Sequence, residues 1–244
     1  MRIVQPRTVI PGTVAGRSML LHPAVRPYTV GPRTQGAPDW DAQRWYFRAS
    51  TPAEVSPDFN ASWVASPQFA RRLLGATPDA PNTIEVPNVS SWTSGQNCIE
   101  RQYVGPMLRG GVSFAGATVS CVLKPRELDS TDNVTARIGV RIVSADGLTV
   151  RAVLLAVGDY GTGLEVDVHP GATTRIAANA QALASYVTQP GDRPVVEVGY
   201  SDTSGTTPQA RGYYGTPAAS LGDAPLADSG DANYIPWFQF TPAA

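Results

Sequence analysis

Lysine is almost missing from this chain, and cysteine and histidine are scarce. Of its 19 basic residues only Lys124 is not an arginine, and it holds two cysteines, Cys98 and Cys121, and two histidines, His22 and His169. No histidine stands at ligand spacing from a cysteine or from the other histidine, so a zinc site is not expected. Neither cysteine has a histidine partner in the sequence pattern that would make it a nucleophile. Charged residues are also few, 16% of 244 residues with a net charge of -1. That balance gives no bulk attraction for nucleic acid. Long Ala/Glu/Lys/Leu-rich runs are absent, which excludes a helical bundle. No apolar stretch approaches the ~18 residues of a membrane-spanning helix. Residues 1–30 contain four arginines, four prolines and no apolar run of the length a secretion signal needs. Synthesis in a cytoplasm, with no cofactor and no metal, is the expectation.

Glycine and proline are abundant, at 23 and 22 residues, and hydrophobic residues make up 42%. A chain of this length and composition can fill one core. The prolines concentrate at the start, at Pro6, Pro11, Pro23, Pro27, Pro32 and Pro38. Proline fixes φ, lacks an N–H and keeps its predecessor out of the helical region, so no helix or central strand fits that spacing. Up to Pro38 the chain carries Arg2, Arg7, Arg17, Arg26 and Arg33 and no acid. Residues 1–44 therefore read as an extended arm, and residues 45–244 as one domain. Such an arm has little apolar surface of its own and is ordered by docking on something else. From Ser201 onward Asp202, Asp223, Asp228 and Asp231 outnumber Arg211. Opposite ends of like subunits could complement each other, and the short apolar runs 8–10 and 18–21 could each add an edge strand to a neighbour.

From Trp45 the pattern is β. Val134, Ala136, Ile138, Val140 and Ile142 alternate with Thr135, Arg137 and Arg141, as in a half-buried antiparallel strand. Asp146-Gly147 marks a hairpin turn. Residues 149–157 are apolar on both faces and read as a central strand. Further strands are expected over 45–49, 83–89, 98–104, 111–123, 164–168, 194–200 and 235–240. Short strands at this spacing predict an all-β fold, an antiparallel sandwich or barrel. Two segments read differently. Ser66, Pro67 and Gly75 bracket residues 66–75 as a short helix, and the Ala-rich run 175–187 has helical spacing at Ile176, Ala180, Leu183 and Val187.

Some residues carry a resemblance. Arg44-Trp-Tyr-Phe-Arg-Ala-Ser50 opens the domain, followed by Trp63 and by Arg71-Arg72-Leu73. Later come Gly191-Asp-Arg-Pro-Val-Val-Glu-Val-Gly-Tyr200 and Pro236-Trp-Phe-Gln-Phe240. In these pieces, spread from about residue 45 to residue 241, the chain resembles jelly-roll-like domains of minor tail and virion structural proteins of tailed bacteriophages. The resemblance implies a jelly-roll-like β-sandwich in a virion, assembled in the host cytoplasm. It implies a structural role in a homo-oligomer, as a minor tail or tail-tip protein. The partners it implies are other virion proteins and copies of the chain itself. A capsid decoration or head-fibre protein would use the same parts.

Candidate chemistry is thin. Glu127 with Asp129, and Glu165 with Asp167, have the two-residue spacing that puts paired acids on one strand face, but solvent-facing acids explain both. Asp129, Asp132 and Asn133 form a polar cluster that a solvated turn explains better than calcium does. No Gly-x-Ser-x-Gly or phosphate-loop pattern occurs in a matching context. Tyr213, Tyr214, Tyr160 and Trp92 fall in loop-like contexts, where exposed rings would contact a glycan or another subunit. A carbohydrate-binding module that adheres to a host surface is the second reading. Cys98 and Cys121 are expected on strands as buried thiols, with a disulfide as the alternative.

Overall fold

The computed structural model describes residues 44–90, 92–161, 166, 174–204, 208–227, 229, 231 and 233–243. Among these residues there are fourteen strands and no helix. They are β1 (Arg44–Pro52), β2 (Trp63–Gly75), β3 (Thr83–Glu85), β4 (Asn88–Ser90), β5 (Asn97–Val104), β6 (Thr118–Leu123) and β7 (Pro125–Glu127). The second half of the chain supplies β8 (Val134–Val143), β9 (Val150–Gly158), β10 (Arg175–Ala182), β11 (Arg193–Asp202), β12 (Gln209–Gly212), β13 (Tyr214–Thr216) and β14 (Trp237–Thr241). Of the arm expected over residues 1–44, residues 1–43 with their five arginines lie outside the described residues and Arg44 opens β1, while most of the strand expected over 164–168 also lies outside.

Nine strands form one sheet in the order β10-β6-β14-β1-β2-β5-β11-β8-β9. Its two ends approach each other. Tyr160, just past β9, bridges Ala178 of β10, and the amide of Ala184, just past β10, donates to the Leu154 carbonyl of β9 at 2.8 Å. The sheet is thus a nearly closed barrel. It is not wholly antiparallel, because β2 and β5 are parallel neighbours. Two small sheets, β4-β12-β7 and β13-β3, form a cap. Val89, Ala210 and Tyr214 of the cap share a core with Phe47, Leu74 and Tyr103 of the barrel.

The wall of the barrel is covered on its other face too. Residues 53–62 run across β5, β8 and β11 as a strap. Ala53 and Val55 pack on Val104, Val143 and Val195. The Arg141 guanidinium and the Gln102 amide donate to the Asp58 carbonyl, and the Arg71 guanidinium donates to that of Pro57. Elsewhere Ala224 and Tyr234 cover Val122, Trp237 and Tyr46. Thr135 and Arg137 stay partly exposed, as alternation predicts, whereas Arg141 of the same face is buried because the strap covers it.

Three sequence expectations are corrected. Residues 66–75 are strand, within β2, not helix. The Ser66 hydroxyl does accept an amide, that of Gln68, but within a bulge between Ala65 and Ala70 that accommodates Pro67. A serine followed by proline marks either a helix start or a strand irregularity, and pairing with β1 and β5 decides for the strand. Residues 175–182 are also strand, paired with β6. Their small side chains allow two register shifts and a positive φ of 46° at Ala180, whose amide bonds the Ser120 hydroxyl. Finally, β9 is a terminal strand of the sheet, with Val150 and Val153 exposed, not a central one.

Candidate functional site

The residues nominated from sequence do not converge. Tyr214 is 2% exposed and Trp92 is 6% exposed, so both rings belong to the core and present no surface to a glycan or a subunit. Tyr213 and Tyr160 are half-buried. The Tyr213 amide donates to the Lys124 carbonyl and the Tyr160 hydroxyl donates to the Ala156 carbonyl. The adjacent positions 213 and 214 point to opposite sides of an extended chain, so burying one ring turns the other outward. Arg2, Arg7, Arg17, Arg26, Arg33, His22, His169, Glu165 and Asp167 lie outside the described residues.

The acids of residues 127–133 are local fasteners. The Asp129 carboxylate accepts the amide and hydroxyl of Thr131, and these bonds hold its pKa below the usual value. Asp132 is buried and accepts the Gln209 amide, while Glu127 is buried rather than solvent-facing. Among the described residues no group of three or more His, Cys, Asp and Glu side chains is placed to hold a metal ion. Cys98 and Cys121 are buried free thiols, and burial pushes the Cys98 thiol up to about 12. A pocket of about 200 Å³ opens between residues 109–117 and the C-terminal strand. Phe114, Phe240, Arg109 and Ser113 are among the residues that line it.

The densest polar chemistry lies elsewhere, on β5 and β11. Glu100 is fully buried on β5, where a bulge between the 101 and 99 pairings interrupts the register with β11. Its carboxylate accepts the hydroxyl of Tyr214, the hydroxyl of Tyr200 at 3.3 Å and the amide of Gly212 at 2.9 Å. Tyr103 stacks against Tyr214 at 5.5 Å and against Phe47 at 4.7 Å. No cation touches the Glu100 carboxylate among the described contacts. Arg101 is turned to Glu85, which Arg72 also grips. Burial pushes the Glu100 carboxyl up to about 7, against the pull of its hydrogen bonds and of Arg101. The same burial holds the Tyr103, Tyr200 and Tyr214 phenols well above their ordinary value, so all three stay neutral, and Tyr200 and Tyr214 act as donors.

A second buried carboxylate, Glu197 on β11, faces the strap. It accepts the Arg141 guanidinium, the Trp63 indole N–H at 2.9 Å, the Gln102 amide at 3.1 Å and the Asn60 backbone amide at 3.0 Å. The sequence pattern singles out neither Glu197 nor Glu100 as a site residue. The available signal was Glu100-Arg101-Gln102 between apolar neighbours of one strand, where a polar run must find partners inside.

No protein-family model matches the chain, and no curated protein matches it. Among solved structures, a CocE/NonD family hydrolase from Staphylococcus aureus aligns over 83% of this chain and 37% of its own, at 9% identity and a TM-score of 0.41. The infectious bursal disease virus VP2 subviral particle aligns over 78% of this chain and 42% of its own, at 12% identity and a TM-score of 0.23. The chain spans less than half the length of either. At such scores neither likeness assigns an activity or a partner.

Proposed function

We propose that the chain is a structural building block of a tailed-phage virion, a minor tail or tail-tip protein. In this reading a jelly-roll-like β-domain supplies a rigid shape, and residues 1–44 join it to copies of itself and to other virion proteins. The observation that supports a structural role is the use made of the buried polar groups. Glu197 and Arg141 tie the strap to the wall, and Glu85 ties β3 to β2 and β5. Groups committed in this way rigidify a scaffold. The sequence resemblance supplies the tailed-phage assignment, and the arginine-rich composition of residues 1–38 supplies the means of contact.

The test compares the full chain with a form lacking residues 1–38, by sedimentation and by incorporation into particles. The full chain should assemble into closed oligomers, and the shortened one should stay folded yet fail to join. Unchanged assembly after the deletion, or a molten shortened chain, would overturn the reading.

A further inference from the structure

We propose that Glu100 is a proton-operated latch: the cap carrying β12 and β13 stays seated on the barrel while this carboxyl holds its proton, and loosens as the proton leaves. This inference is independent of the assembly the chain serves.

The geometry places the carboxyl at the seam. Tyr200 reaches it from β11 of the barrel, while Gly212 and Tyr214 reach it from the cap. The seam is close: a Cβ at position 212 would lie 2.2 Å from Glu100 Oε2. Glycine is therefore required there, and lifting Gly212 and Tyr214 would open the carboxyl to water. An ionised carboxylate gains most from that hydration, and a protonated one gains little. Opening and proton release are therefore linked.

The surrounding charges do not remove this linkage. On β5 itself stand Cys98, Arg101 and Tyr103. Arg101 donates to Glu85 of β3, to the Gln68 carbonyl and to the Glu100 backbone carbonyl, so it approaches the strand rather than the carboxylate. Arg72 of β2 is held by the same Glu85. From β11 and β13 the facing groups are the neutral phenols of Tyr200 and Tyr214. Through β12, Arg211 and Ala210 stand in register with Arg126 and Glu127 of β7. Among the described residues the carboxyl thus has three hydrogen-bond donors and no cation in contact. Its ionisation inside the closed molecule falls near neutral pH, about 7, against 4.5 for an exposed glutamate.

Hydrogen exchange of the full chain, corrected for the intrinsic rate, reads the latch directly. Between about pH 5.5 and about pH 7.5 the open population of residues 209–216 should rise about twentyfold. At both values those amides should be less protected than β8, because the barrel stays closed while the cap opens. The variant Glu100→Gln keeps the shape and should abolish the rise. Equal protection of 209–216 and β8 at every pH would overturn the proposal, and so would a pH response retained by Glu100→Gln. If that variant does not fold, Tyr214→Phe supplies the second reading. It removes one donor to the ionised carboxyl, so loosening should shift to higher pH, and an unshifted midpoint sinks the idea.

Discussion

Glu197 and Glu100 stand on the paired strands β11 and β5, both without exposure, yet they are accommodated in different ways. Glu197 meets Arg141 and three N–H donors beneath the strap. Glu100 meets two phenols and one amide beneath the cap. Burial disfavours the ionised form of a carboxyl; a cation in contact offsets that cost strongly, and neutral donors offset it only in part. The two covers of the barrel therefore differ in kind: the strap is held by a charge pair, and the cap by a group that changes charge within the physiological range.

The largest expected effect comes from breaking the paired site. Arg141→Ala leaves Glu197 buried without its cation and removes a donor to the Asp58 carbonyl. It should cost about 3–5 kcal/mol in urea unfolding at neutral pH. A loss below about 1 kcal/mol would mean that the strap is not held electrostatically.

The next effect belongs to Glu100 and has a definite sign. Its folded pKa, about 7, lies above the 4.5 of an exposed carboxyl. The stability it contributes is complete below the unfolded value and is lost as pH rises through the folded one. Unfolding should thus become easier by about 2 kcal/mol between about pH 5.5 and about pH 7.5. Lys124, whose amine burial pulls down to about 8, begins to oppose that trend only above this window. Stability that rises across the window would reverse the contrast between the two sites. The smallest effect is expected from Tyr200→Phe, which removes the longest of the three bonds to Glu100, at 3.3 Å. Under about 1 kcal/mol should be lost at pH 5.5. A larger loss would mean that the barrel side, not the cap side, holds the carboxyl.

Much of the all-β character was legible in the sequence. The alternation of 134–142, the Asp146-Gly147 turn and the aromatic Trp237-Phe-Gln-Phe240 strand all correspond to observed elements. The helix expected over 66–75 failed because local chemistry is shared: Ser66 accepts an amide two residues on in a bulge much as it would near a helix start. The central-strand reading of β9 failed because apolar content does not say how many neighbours a strand has. The site was less legible still. A solvent-facing glutamate and a strap-covered one are identical in an alternation pattern, so Glu197 gave no sign of its role. Tyr214 was noted as a ring in a loop, but its contact with Glu100 joins positions 114 residues apart, which local spacing does not reveal.

The parallel pairing of β2 with β5 has a further consequence. Neighbours that run the same way cannot be joined by a tight reversal; the intervening chain must travel back before the second strand begins. Residues 76–96 make that return journey, and β3 and β4 lie on it. Part of the cap is therefore a stretch of road between two staves of the barrel, not an appendage hung on afterwards. Shortening the road would force those staves apart, and its length is a topological requirement before any contact along it is counted.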